Sequence, residues 1–189
     1  MTKVRETLLT EKYFFDTDCL SAFLWIHGES ILAKLYSGRI ILPAQVYEEL
    51  EKVPHLLEKV DVLKNSGDLR VESMQVGSVE YDDYLKMTER PEKGMKFIGR
   101  GEAAGIAMAK QRNGTLASNN LHDILPYVEK YKIQHITTGE ILIEAMRAGI
   151  VSESECNTIW ANMIRKKRKL PKPTFSEYLA THGKTSSGG

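Results

Sequence analysis

The stretch IGRGEAAGIAMAKQRNGTLASNNLHDI, from Ile98 to Ile124, sets a Gly-flanked glutamate, an alanine-rich helix, a short strand and an Asn-Asn-x-x-Asp turn one after another. Ala103, Ala104, Ala107 and Ala109 carry so little bulk that a helix built on them can press close against a sheet. On a helical wheel centred on Ile106, Glu102 and Ala109 fall on one side and Ala104 and Met108 on the other, which predicts that Glu102 faces inward. A carboxylate placed there needs a partner, because an unpaired charge taken out of water protonates, pairs or binds a metal. Asn113-Gly114 is a turn signal, and TLAS after it reads as a buried parallel strand. Asn119, Asn120 and Asp123 then follow at the carboxyl end of that strand, where open α/β sheets gather their ligands.

The rest of the chain repeats the alternation. Tyr13 to Phe15 reads as a strand, followed by a helix with Cys19, Leu20, Phe23 and Ile26 at helical spacing. Asp16 closes the strand, where it could cap the helix or do chemistry; Asp18 is read as the helix N-cap. SILAKLYS is a second helical piece, RIILP a strand, and PAQVYEELEKV a helix with Pro43 at its first position and Val46, Leu50 and Val53 inside. Glu49 lies at the edge of that stripe, about 60° from Val46, while Glu48 is nearly opposite and solvated. From Pro54 to Phe97 the pattern is helix, strand (LRVES) and a polar helix whose Asp82 and Asp83 read as a solvated face. Beyond Asp123 comes a helix with Pro126 in its first turn, a strand ending at Thr137 and Thr138, the helix EILIEAMRAG, and a last helix with a Ser152/Glu155 capping box and a proline stop. Strands alternating with helices predict a three-layer α/β/α sandwich around a central parallel sheet of about five strands. The expected organisation is a single domain over residues 1–180, with an added C-terminal helix and a disordered tail at 181–189.

With 189 residues and a formal charge of +1, the chain has no global attraction for nucleic acid, so a polyanion must be held by a local basic patch or a metal. The one dense basic run is Arg165 to Lys169. It reads as a solvated helix end favoured by the dipole, the alternative being contact with an RNA backbone. Cys19 and Cys156 are expected to be reduced thiols. The start MTKVRETLLTEK lacks a signal-peptide core and no stretch has membrane-spanning length, so a cytoplasmic protein with no membrane contact is expected.

Four acids, Asp16, Glu49, Glu102 and Asp123, recur at strand ends or on the inner edge of the helices that follow. A parallel sheet would bring them to one edge, where mutual repulsion raises at least one pKa unless a cation intervenes. All-oxygen ligation suits Mg²⁺ or Mn²⁺, and such a site can hydrolyse phosphodiesters. A rival reading takes Gly99, Gly101 and Gly105 as a dinucleotide-binding turn. Glu102 puts a negative charge where the pyrophosphate would sit, and Asn119 and Asn120 stand where a ribose-binding acid belongs.

FFDTDCLSAFL, LPAQVYEEL, GRGEAAGIAMA and ASNNLHDI together resemble the successive acidic motifs of PIN-domain nucleases, which include VapC-type toxins of toxin-antitoxin pairs. The resemblance runs from about Tyr13 to Thr138. It implies a metal-dependent endoribonuclease with Asp16, Glu49, Glu102 and Asp123 as catalytic metal ligands, Asn119 as a supporting polar contact, and RNA as substrate. Asn120 and Asp18, beside these, are expected to contact the substrate. It also implies a homodimer and, for a toxin, an antitoxin protein as partner. Asn119-Asn120 stand where many relatives carry an acid, leaving Asp123 to serve. The alternative is a catalytically impaired PIN-like module that binds RNA or protein.

Overall fold

The computed structural model describes residues 11–182. The strands are β1 (Tyr13–Phe15), β2 (Ile40–Pro43), β3 (Leu69–Glu72), β4 (Thr115–Ala117) and β5 (Gln134–Ile136). The helices are α1 (Thr17–Leu24), α2 (Glu29–Tyr36), α3 (Ala44–Leu50), α4 (Pro54–Asn65), α5 (Val79–Thr88), α6 (Arg100–Arg112), α7 (Leu121–Tyr131), α8 (Thr138–Arg147), α9 (Glu153–Arg165) and α10 (Phe175–His182). All strand pairings are parallel, in the order β3-β2-β1-β4-β5. The three-layer sandwich and five-strand sheet expected from the alternation are therefore present.

Alternation along the buried strands sorts side chains into two cores. Phe14, Ile41 and Leu116 pack with α5, α6 and α7, whereas Phe15, Leu42 and Ala117 pack with α1–α4 and α8–α10. The chain leaves β1 toward β2 on one side and returns to pair β4 on the other, so β1 and β4 flank the topological switch point. The crevice beyond their carboxyl ends is where such sheets bind ligands.

Several local expectations need correction. Ala103, Ala104, Ile106, Ala107, Met108 and Ala109 are all buried, so α6 has no solvent face along that stretch. The wheel assumed one exposed side, but α5 covers it. For the same reason Asp83 is not solvated: it is 2% exposed and accepts from Lys110 Nζ and Gln111 Nε2, both at 2.7 Å. Burial pushes the Asp83 carboxyl up, but the Lys110 and Gln111 donors and the Lys86 charge outweigh it and hold it below the usual range. Asp83→Ala strips Lys110 of its anchor and is expected to cost about 2 kcal/mol in urea unfolding. Unchanged stability would mean the pair merely breaks even against its desolvation.

Pro43 ends β2 as the N-cap of α3, one residue before its expected position. Pro126 lies inside α7, past the first turn, because that helix begins at Leu121. An eleventh-hour helix was missed altogether: α10 follows the proline-rich stretch 171–173 and takes in Thr181 and His182, the first two residues of the expected tail. Residues 183–189, like the polar start at 1–10, lie outside the described residues. Cys19 and Cys156 are buried free thiols. Among the described residues no helix is long and apolar enough to cross a membrane.

Candidate active site

Asp16 and Asn119-Asn120 follow the adjacent carboxyl ends of β1 and β4. The Asp16 N–H donates to Ala117 O at 3.0 Å, which fixes the two strand ends side by side. Asp16 is the N-cap of α1, accepting the Cys19 N–H on Oδ1 at 2.7 Å; Asp18, expected to cap, instead lies inside the first turn. The strand ends at Phe15 and the helix begins at Thr17, so the residue with extended backbone at the boundary is Asp16. Asp16 is 1% exposed and its Oδ2 has no hydrogen-bond partner. Burial pushes its pKa up to about 7 against the pull of the Ser118 hydroxyl and the Cys19 N–H, while the Asp18 and Glu102 charges add to the rise. The raised carboxyl expected from crowding is thus present, but burial is its main cause.

From Asp16 the acids are joined by intervening groups rather than stacked against one another. The next residue, Thr17, donates its hydroxyl to Glu49 Oε2, and Glu49 Oε1 accepts the Gly101 N–H at 3.1 Å. A Cβ on Gly101 would lie 3.1 Å from both Glu49 carboxylate oxygens, so glycine is what lets Glu49 reach the positive end of α6. Glu102 follows. Its Oε2 accepts the Gly99 N–H at 3.0 Å and its Oε1 the Asn120 amide at 2.6 Å. The same amide nitrogen reaches Asp123 Oδ2 at 2.7 Å. Only an N–H group can sit between two carboxylates, which settles how the amide is turned. Asn119 is held differently: its Oδ1 accepts from Thr138 N at 2.9 Å and its Nδ2 donates to Thr138 Oγ1 at 2.8 Å. It pins the end of β4 to the start of α8.

Glu102, Asn120 and Asp123 therefore form one hydrogen-bonded unit, Glu49 belongs to a second through Gly101, and Asp16 stands deepest. Among the described residues no three His, Cys, Asp or Glu side chains are grouped as a ready-made ion site. The donors are nonetheless of the right kind for a hard divalent cation, and the orphaned Asp16 Oδ2 is an oxygen in want of a positive partner. A cation would take over oxygens that the Asn120 amide now holds.

The acids open into a cleft of about 670 Å³. Asp18, Glu102, Asn120 and Asp123 line it together with Lys167, Arg168 and Lys169. Arg168 lies 3.4 Å from Asp18 Oδ1, so the basic run that sequence favoured as a solvated helix end forms part of the cleft. Nothing local marks this, because the fold brings residues 18 and 168 together across 150 positions. Thr17, Gly101 and Thr138 were also missed; a hydroxyl directly after a strand-end aspartate was the available signal for Thr17.

An all-parallel five-strand sheet with carboxylates beyond its switch point defines an α/β protein with an acidic candidate site. The family model described as DUF3368, PIN domain, matches residues 12–184, and the chain belongs to that family. PIN domains are generally nucleases. No curated protein matches the chain.

Proposed function

We propose that the chain is a divalent-metal-dependent endoribonuclease that hydrolyses RNA phosphodiester bonds in the cleft between β1 and β4. The observation that carries this is the buried Asp16 with its unpaired Oδ2, two residues from Asp18 in a cleft lined by carboxylates and cations together. Asp16, Glu102 and Asp123 would hold Mg²⁺ or Mn²⁺, with Glu49 close behind them. The ion would supply a Lewis acid for attack on phosphorus. Lys167 and Lys169 would bind the phosphates on either side of the scissile bond, and Arg168, already on Asp18, would hold the basic run beside the acids. Glu49 orients the start of α6, and with it Glu102, through the Gly101 N–H. Asn119 ties the end of β4 to the start of α8 at the edge of the cleft. A role as the toxin of a toxin-antitoxin pair, with an antitoxin partner and a homodimer, rests on the likeness of the acidic motifs.

One observation favours a second reading. The Asn120 amide already satisfies Glu102 and Asp123, which suits a site that has lost its ion and keeps only RNA or protein binding. The test incubates the protein and Asp16→Asn with single-stranded RNA in Mn²⁺ or EDTA. Mn²⁺-dependent cleavage that Asp16→Asn lacks supports the enzyme. Equal cleavage by both sinks it, and binding without cleavage selects the second reading.

A further inference from the structure

We propose that a single-stranded polynucleotide runs out of the acidic cleft along the basic run Arg165–Lys169 and stacks a base on Trp25. The proposal rests on the RNA-binding part of the reading above and not on cleavage. The run is shared between two hollows. Lys167, Arg168 and Lys169 line the cleft, whereas Arg165 and Lys166 line a neighbouring hollow of about 500 Å³ with Trp25, Ile26 and His27. The division occurs where α9 stops: Lys166 is its C-cap and Lys167 turns the chain with φ 60°. Consecutive cations thus lead from one hollow into the next, as a phosphate backbone requires.

At the far end stands the aromatic group. Trp25 closes α1 and is only half-buried, unlike Trp160, which is fully buried. Lys166 Nζ lies 5.5 Å from the Trp25 ring centroid, and His55, exposed, meets the ring edge-on at 4.6 Å. A second hollow of about 310 Å³ opens on the same tryptophan, lined by His55, Glu58 and Lys59. Lys59 is held by Glu29 at 3.0 Å and is not counted among the binding cations. An indole bordered by two hollows, with an exposed lysine over its ring that can swing aside to meet a phosphate, is a stacking platform that takes any base, because every base has a π-face. Base faces in a duplex are already stacked, so this end of the track selects single strands. With a net charge of +1, affinity must come from this local strip rather than from the whole surface.

The test measures binding in EDTA, where cleavage plays no part. A fluorescein-labelled oligoadenylate RNA of about 12 nucleotides, its duplex with oligouridylate, and heparin are titrated by anisotropy. Trp25→Ala is expected to weaken single-strand binding about tenfold and leave duplex binding unchanged. Trp25→Phe is expected to keep the affinity and to lose the quenching of intrinsic fluorescence expected of the native chain on binding. Arg165→Gln with Lys166→Gln, both exposed and therefore harmless to folding, should lower the salt slope of single-strand binding by about 1.4. Native affinity in Trp25→Ala, an unchanged slope in the double variant, no binding of the RNA, or the same Trp25 dependence with heparin would each overturn the proposal. The nuclease reading fails separately, when the native chain and Asp16→Asn cut alike in Mn²⁺.

Discussion

At pH 8 in EDTA, Asp16→Asn is expected to melt roughly 10 °C above the native chain, and the gap should close as the pH falls to 4. Asparagine keeps the Oδ1 that accepts the Cys19 N–H, so the cap on α1 survives. What disappears is the charge. The Asp16 carboxyl titrates near 7 in the folded chain against 3.8 when unperturbed, so the folded state binds the proton more tightly than the unfolded one. Stability is fully present below 3.8 and is lost as the pH rises through 7, by about 4 kcal/mol for a displacement of this size. The asparagine variant has nothing to lose over that range. Added Mn²⁺ should raise the melting temperature of the native chain and leave the variant unmoved, since an ion that binds only the folded site stabilises by mass action. Cleavage by the variant should drop by at least about 100-fold. A variant less stable at pH 8, or a gap independent of pH, would show that Asp16 is already satisfied and that the cleft has no need of a cation.

How far the sequence foretold this site depends on the range of each interaction. The parallel sheet was legible because strand and helix periods alternate locally, and Asp16, Glu102 and Asn120 were legible because they follow strands directly or open the helix between them. Asp83 and the outer face of α6 were misread because amphipathic reasoning presumes solvent on one side, and α5 takes its place. Asp18 and Arg168 show the opposite limit: neither residue's neighbours hint at the other, and only the return of α9 past α1 joins them. The same return makes a cleft wall out of a run of cations that, read alone, is a helix end dissolved in water. Glu49 lies between these cases, since its wheel position placed it at the edge of the core while its two partners, Thr17 and Gly101, come from other elements.

Trp160→Ala is expected to cost about 3 to 5 kcal/mol and to lower the melting temperature by roughly 10 °C at every pH. The indole is fully buried, meets Phe175 edge-on at 5.9 Å and Tyr178 at 5.2 Å, and donates its N–H to Lys172 O at 2.8 Å. Removing it takes away the seat of α10, a helix of 8 residues that is too short to persist by itself. Tyr178 in turn lies so close to Gly139 that a Cβ there would sit 2.4 Å from its ring, and its hydroxyl is 3.2 Å from Thr137 Oγ1. Loosening α10 therefore frees the start of α8, where Thr138 holds Asn119 at the mouth of the cleft. Hydrogen exchange should show α10 and the first turn of α8 opening together in Trp160→Ala, with β1 and β4 still protected. Trp160→Phe, which keeps a ring and loses the N–H, should recover most of the stability. A loss below about 1 kcal/mol in Trp160→Ala would mean that α10 is an ornament on the sandwich and that the Asn119 tether stands without it.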